Sequence, residues 1–322
     1  PQPRSQAPTV GFDAVSSSSD ARPPAITSLH SSVGAVPIAI VGMSGVFASS
    51  PDLETLWEHL RSGADLVVPF PQRNGAAGSS RTISVHGGFL DRVDGFDALF
   101  FSISGQEASY MDPQQRLFLQ ECWRALEDAG HAGGDLAGRN CGVYVGGANG
   151  DYPALFGERY PPQALWGNLG SLIASRISYF LDLRGPALVI DTACSSSLVA
   201  VHLACRALAN REIEAALAGG VFLLSTSGYF EALQRAGMFS PRGRCHSFDA
   251  RADGFVPAEG AGAVFLRRLD DALADGDHIH AVIRASGINQ DGTSNGITAP
   301  SAASQEQLEL SVYRSCGLDP RQ

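Results

Sequence analysis

The chain has 322 residues, enough for one large domain or two ordinary ones, and 44% hydrophobic with 17% charged residues describes a globular protein with a large core. A formal net charge of −10 argues against nucleic acid as the main partner. All 23 basic residues are arginine, which excludes lysine Schiff-base chemistry within the chain.

Residues 1–34, rich in Pro, Ser and Ala around "VSSSSD", carry no sustained periodicity and predict a flexible linker. Order is expected from "VPIAIVGMSG" (36–45), a continuous apolar run that reads as a buried strand. "SPDLETLWEHLRSG" predicts a helix with Ser50 as N-cap, Pro51 at the first helical position and an apolar face of Leu53, Leu56, Trp57 and Leu60. "DGFDALFFSIS" predicts a loop and a short strand. "MDPQQRLFLQECWRALEDAG" predicts a helix capped by Asp112 and Pro113, ended by Gly130, and burying Leu117, Cys122, Trp123 and Leu126. "CGVYVGG" reads as a strand, and "GNLGSLIASRISYFLDL" as a helix with small residues where a second backbone packs closely. "GPALVI" and "AALAGGVFLLS" are further buried strands, separated by a helix over "LVAVHLACRALA". A strand over "GAGAVFLRRL", a helix over "LDDALADG", a strand in "IHAVIRASGINQDG" and a helix capped by Gly317 complete the pattern. Strands alternating with helices and apolar on both faces predict an α/β layered fold with a mixed or parallel sheet.

The six cysteines are Cys122, Cys141, Cys194, Cys205, Cys245 and Cys316. They are scattered without a CxxC pair or metal-ligand spacing, so no disulfide framework or zinc site is expected, and a reducing cytoplasm is the expected compartment. No apolar run approaches the ~20 residues of a membrane span. Neither a signal peptide nor an initiator methionine opens the chain, which reads as cut from something longer or processed.

Cys194 stands apart. It lies between a buried strand and a helix, in "DTACSSSLVAVHLAC" (191–205). A thiolate at a helix N-terminus is stabilised by the helix dipole, and free N–H groups of the first turn can hold an oxyanion. Strand-to-helix elbows expose nucleophiles in other acyl-transfer enzymes. The residues alone leave this reading open beside that of a packed structural cysteine, the commoner fate of a free cysteine.

"DTACSSSLVAVHLAC" resembles the active-site segment of beta-ketoacyl synthase (ketosynthase) domains of type I modular polyketide synthases. "IAIVGMSG", "FDALFFSISGQEASYMDPQQRLFLQECWRALEDAG", "AALAGGVF", "GMFSPRGRCHSFDARADGFVPAEGAGAVFLRRLDDALADGD" and "INQDGTSNGITAP" are similar to the family in order and spacing, from Val36 to the end of the chain. The resemblance implies a thiolase-like fold of αβαβα layers, usually homodimeric. Residues 35–275 would form its N-terminal half and 276–322 the beginning of its C-terminal half. The implied reaction moves an acyl chain from an acyl carrier protein to Cys194. A malonyl-type extender then loses carbon dioxide and condenses with it. The Cys194 backbone N–H would serve the oxyanion hole. No cofactor or metal is expected in the chain; the phosphopantetheine arm arrives on the carrier protein. Neither nucleic acid nor membrane is an expected partner, whereas a remaining ketosynthase half or a downstream polyketide synthase polypeptide is.

Departures accompany the likeness. The family's second stage uses two histidines in C-terminal motifs, and the chain stops at "CGLDPRQ", before them. None of the eight histidines matches either. His202, eight residues past Cys194, would lie about 12 Å along one helix, so packing is its expected role. His278 and His280 read as ordinary strand residues on one face. "GVFAS" and "PFPQRNGAAGSSRTISVHGG" depart from the family's loops. The resemblance places Met111 beside a dimer contact at the acyl pocket, with Tyr110 and Asp112, and sets Phe230, Met238, Phe239 and Thr298 along that pocket. Core packing, helix capping and loop hydrogen bonding are the plainer readings of these residues. Glu259 and Asp253 are expected to make structural hydrogen bonds. An alternative function is a non-catalytic module that docks a carrier protein or caps a neighbouring chain.

Overall fold

The computed structural model describes residues 36–71, 85–132, 134–157 and 160–321. The linker expected over 1–34 and most of the "PFPQRNGAAGSSRTISVHGG" segment lie outside the described residues. Strand β1 spans Ile38–Phe47 and helix α1 Leu53–Ser62. The cap of α1 is Asp52, two residues beyond the expected Ser50: its carboxylate accepts the Thr55 N–H at 2.7 Å. Ser50 is buried, and its hydroxyl is engaged by the Ala48 carbonyl and His59 Nδ1, both at 2.9 Å. A charged acceptor at the right spacing wins the cap. The apolar face of α1 is only partly covered, with Trp57 and Leu60 both exposed.

A two-stranded ribbon follows, β2 (Val68–Pro69) against β3 (His86–Gly87). The short strand expected in "DGFDALFFSIS" is absent; the segment folds as turns into α2 (Gly105–Tyr110). Asp97 accepts the Phe100 N–H through its side chain and the Phe101 N–H through its carbonyl. The aromatics pack as a ring cluster, Phe101 stacked on Phe96 and edge-on to Phe180, so Phe101 is buried without a partner strand while Phe100 stays exposed. Helix α3 (Pro113–Asp128) begins as expected: Asp112 accepts the Gln114 N–H at 2.8 Å and Pro113 sits at the first turn. Gly130, at φ 72°, turns the chain away.

Strand β4 is Cys141–Gly146. The helix expected over "GNLGSLIASRISYFLDL" forms as α5 (Leu172–Leu181), shorter at both ends, and a separate short helix, α4 (Gln163–Gly167), ends where that segment begins. Asn168 follows the last residue of α4, and its amide donates to the Tyr110 and Ala164 carbonyls, a side-chain alternative to continuing that helix. Then come β5 (Ala187–Ile190), α6 (Ser196–Ala209), β6 (Ala215–Phe222), α7 (Gly228–Arg235), β7 (Gly260–Arg268), α8 (Leu269–Asp275), β8 (Ala281–Ile283) and α9 (Ala302–Ser315).

Six strands form one mixed sheet in the order β5-β4-β6-β7-β1-β8. β4 runs parallel to β5 and β6, and β7 is antiparallel to both β6 and β1. The two-residue period of a strand sorts side chains into two cores. Val143, Val145, Leu217, Ala263 and Phe265 join the cluster that holds α3 and α5. Tyr144, Ala216, Ala218, Val264 and Leu266 join Ala200, Ala204, Ala207 and Leu208 of α6 on the other face. The sheet is thus sandwiched between α3 and α5 on one side and α6 on the other.

His278 and His280 precede β8 and do not lie on a strand. Their rings meet edge-to-face at 4.6 Å, and His280 Nε2 is 2.7 Å from Asp128 Oδ2, at the end of α3. This carboxylate also accepts the Met43 N–H from β1 at 2.8 Å, so it ties three segments together.

Candidate nucleophile elbow

The parallel strands β4, β5 and β6 all point their C-terminal ends at the start of α6. β5 ends at Ile190, and a short 3-10 turn over Ala193–Ser195 carries the chain into the helix. Cys194 lies in that turn and is exposed. Among the described residues no hydrogen bond reaches its Sγ.

Ala193, immediately before it, has φ 56°. A non-glycine residue in this left-handed region costs roughly 1–2 kcal/mol, so the surroundings must hold it there. Several bonds do so. Asp191 Oδ1 accepts the Ala193 N–H at 3.1 Å. Ser196 Oγ accepts the Thr192 N–H at 2.8 Å and donates to the Ala193 carbonyl at 2.6 Å. Ser195 Oγ donates to the Thr192 carbonyl and meets Thr192 Oγ1, both at 2.9 Å.

The floor beneath the elbow is made of glycine. A Cβ on Gly146, the last residue of β4, would sit 2.3 Å from the Ser197 nitrogen, and one on Gly220 of β6 would sit 2.7 Å from the Ser197 Cβ. Only bare backbone lets α6 dock this closely on the strand ends.

The other cysteines differ in kind. Cys122, Cys141 and Cys205 are buried. Burial pushes the Cys141 thiol up to about 12 and the Cys205 thiol to about 11, and drives Cys122 well above the ordinary value. Such thiols are inert at neutral pH. Cys245 is exposed, but its Sγ accepts the Val256 N–H at 3.2 Å; Cys316 is half-buried at the end of α9.

Of the remaining candidates, Phe230, Met238 and Phe239 lie together, and Met111 and Thr298 lie elsewhere in the chain. Phe230 is buried on α7, in a cluster with Phe70, Phe89 and Phe239, its ring 6.3 Å from that of Phe239. Met238 is half-buried beside them, and Met111 belongs to the core under α3 and α5. Thr298 is exposed in the loop before α9. His202 Nδ1 is 2.8 Å from Ser286 Oγ, and desolvation, then Arg206, lower its proton affinity; it acts as a packing residue joining α6 to the segment after β8. Glu259 is buried and accepts the Leu90 and Leu224 N–H groups. Asp253 accepts from Ser240 Oγ and Arg242 Nε.

Asp151 was not singled out by the sequence, where one aspartate in "GANGDY" carries no distinguishing signal. Its carboxylate accepts the Ser225 N–H, the Thr226 N–H and the Thr226 hydroxyl, at 2.6, 2.8 and 2.6 Å. It therefore ties the loop after β4 to the loop after β6, beside the elbow. Nearby, burial and then the Asp151 charge push the Asp112 carboxyl up to about 6, against the Gln114 N–H that lowers it.

A cavity of about 420 Å³ lies at the opposite end of the sheet, beside Cys141 and Ala215. Most of its charges are paired with one another: Arg139 with Glu214, and Arg267 with Asp275 and Asp277. Among the described residues, no group of three or more His, Cys, Asp or Glu side chains is placed to hold a metal ion. No described helix is long and apolar enough to cross a membrane.

Comparison with known proteins bears on this geometry. Residues 35–272 match the family model "Beta-ketoacyl synthase, N-terminal domain", and residues 280–322 match "Beta-ketoacyl synthase, C-terminal domain". The chain is similar to polyketide synthase PksL of Bacillus subtilis, 46% identical over 292 residues, covering 88% of this chain and 6% of that protein. It is similar also to polyketide synthase GfsA of Streptomyces halstedii, 46% identical over 296 residues, covering 88% of this chain and 4% of that protein. A solved ketosynthase from module 6 of the bacillaene synthase of Bacillus subtilis superposes with a TM-score of 0.80 at 47% identity. That match covers 88% of this chain and 49% of the solved one, so the chain spans about half of that ketosynthase and a small part of the curated polyketide synthases.

Proposed function

The chain belongs to the beta-ketoacyl synthase family, and from that premise we propose that it is the nucleophile-bearing part of a polyketide synthase ketosynthase. The observation that carries this reading is Cys194, the exposed cysteine on the elbow between β5 and α6, with Cys122, Cys141 and Cys205 sealed in the core.

In the first stage the Cys194 thiolate attacks the carbonyl of a thioester carried on the phosphopantetheine arm of an acyl carrier protein. The negative charge that develops on the carbonyl oxygen is met by the Cys194 backbone N–H and the positive end of α6. Collapse breaks the bond to the carrier sulfur, which leaves as a thiol with the proton Cys194 gave up. In the second stage a malonyl-type extender on a carrier protein loses carbon dioxide. Its enolate carbon attacks the acyl carbonyl, and breaking the bond to Sγ returns the Cys194 thiolate. The groups that assist that stage are not assigned to His202, which is hydrogen-bonded to Ser286. The remaining ketosynthase half, or a downstream polypeptide, would supply them.

The same reading assigns Thr298, Phe230, Met238, Phe239 and Met111 to the acyl site, with exposed Thr298 and half-buried Met238 as its reachable groups. It also includes a cytoplasmic homodimer. β5 is an edge strand of the sheet carrying an exposed Leu188, and such an edge calls for cover. The test is intact-protein mass after incubation with an acyl-pantetheine thioester. One acyl group gained by the native chain and none by Cys194→Ala is expected; equal gain by both, or none by either, contradicts the reading.

A further inference from the structure

The motif around Cys194 contains three serines, and the structure separates their roles. We propose that Ser196 is a positioning residue that aims the Cys194 backbone N–H, a role that rests on the ketosynthase reading above. The Ala193 carbonyl and the Cys194 N–H belong to one planar unit and point in opposite directions, so fixing one fixes the other. Ser196 Oγ donates to that carbonyl at 2.6 Å. The same oxygen accepts the Thr192 N–H at 2.8 Å, which anchors it to the chain on the far side of Ala193. The two bonds bracket the residue held at φ 56°. Without the hydroxyl, Ala193 has every steric reason to relax to negative φ, and relaxation would swing the Cys194 N–H away from a developing oxyanion.

Position and burial support this assignment. Ser196 is only 7% exposed, so no water replaces its hydroxyl easily. It stands at the first residue of α6, where glycine-floored strand ends clamp its neighbour Ser197. Ser195 makes a useful contrast. Its hydroxyl is exposed and bonds only to Thr192, one peptide earlier, so it does not touch the unit that carries the Cys194 N–H.

The experiment compares Ser196→Thr, which keeps the hydroxyl, with Ser196→Val, which keeps the shape without it, and uses Ser195→Ala as a control. Two rates are read on each folded chain: acylation of Cys194 by an acyl-pantetheine thioester, and alkylation by iodoacetamide. Alkylation needs the exposed thiol but forms no oxyanion. We expect Ser196→Val to acylate on the order of 10²-fold more slowly, the size of losing one oxyanion donor. Its alkylation should stay near the native rate, with Ser196→Thr and Ser195→Ala close to native in both reactions. Ser196→Ala, which adds no bulk, must show the same split and stands in if the valine variant does not fold. Native-like acylation without the hydroxyl overturns the proposal and leaves the ketosynthase reading intact. A parallel fall in both reactions also overturns it, because the hydroxyl would then hold up the whole elbow. A native chain that is alkylated yet never acylated overturns the ketosynthase reading and this role together.

Discussion

Replacing Asp112 by asparagine should make the protein's stability less sensitive to pH. Asp112 is 4% exposed at the head of α3, and burial, then Asp151, raise its carboxyl from the usual 3.8 to about 6. A raised carboxyl binds its proton more tightly in the folded chain than in the unfolded one. Its contribution to stability is therefore present below about pH 4 and is lost as pH rises through about 6. The whole loss is ~3 kcal/mol, from about 1.4 kcal/mol per tenfold, and roughly half of it falls between pH 5 and pH 8. Asparagine keeps an oxygen for the Gln114 N–H and caps a helix as well as aspartate does, but does not titrate. Thermal melts of the native chain and Asp112→Asn across pH 5 to 8 isolate this group together with its coupling to Asp151, because titrations not coupled to Asp112 are common to both. The variant should gain on the native chain by about 1.4 kcal/mol over that range, or about 2 °C in Tm. A difference that stays constant with pH, or a native chain that gains on the variant as pH rises, refutes the reasoning.

Two further substitutions probe the scaffold around Cys194. Gly146→Ala drives a Cβ to 2.3 Å from the Ser197 nitrogen, so α6 must move off the strand ends. The expected cost is ~1–3 kcal/mol of stability, with acylation reduced on the order of 10²-fold, read by melts and thioester mass shifts. Asp151→Ala strips three hydrogen bonds from Ser225 and Thr226. It should cost about 1–3 kcal/mol and speed amide exchange selectively in the loop after β6; uniform exchange across the chain would count against a local tie.

Much of the architecture could be read from local chemistry. The Asp-Pro start of α3 satisfies its own orphan N–H groups, and the apolar runs of β4 and β6 are buried on both faces, so neighbours in sequence carry the signal. The misreadings arise where distant groups decide. Ser50 is a good cap by type, but His59 and Ala48 take its hydroxyl and leave the cap to Asp52. The aromatic run before α2 looks like a strand, but Phe101 is buried by Phe180 from elsewhere and Phe100 meets Trp123 while staying exposed. The short helix α4 is not expected from the sequence, and Asn168 closes it with its amide on the Tyr110 carbonyl 58 residues away. His280 pairs with Asp128 across 152 residues, which no periodicity reveals. At the elbow, the position of Cys194 was legible from a strand followed by a helix. The roles of Ser196, Gly146 and Gly220 were not, because they depend on the angle at which three strand ends meet α6.

The central claim is that one cysteine of six is the acyl acceptor. Peptide mapping by tandem mass spectrometry, after brief exposure to a limiting acyl-carrier-protein thioester, tests it most directly. The account predicts acyl mass on the peptide containing Cys194 and on no other. Acyl groups spread over Cys245 and Cys316 as readily as over Cys194 would reduce the elbow to one exposed thiol among several, and would contradict the account.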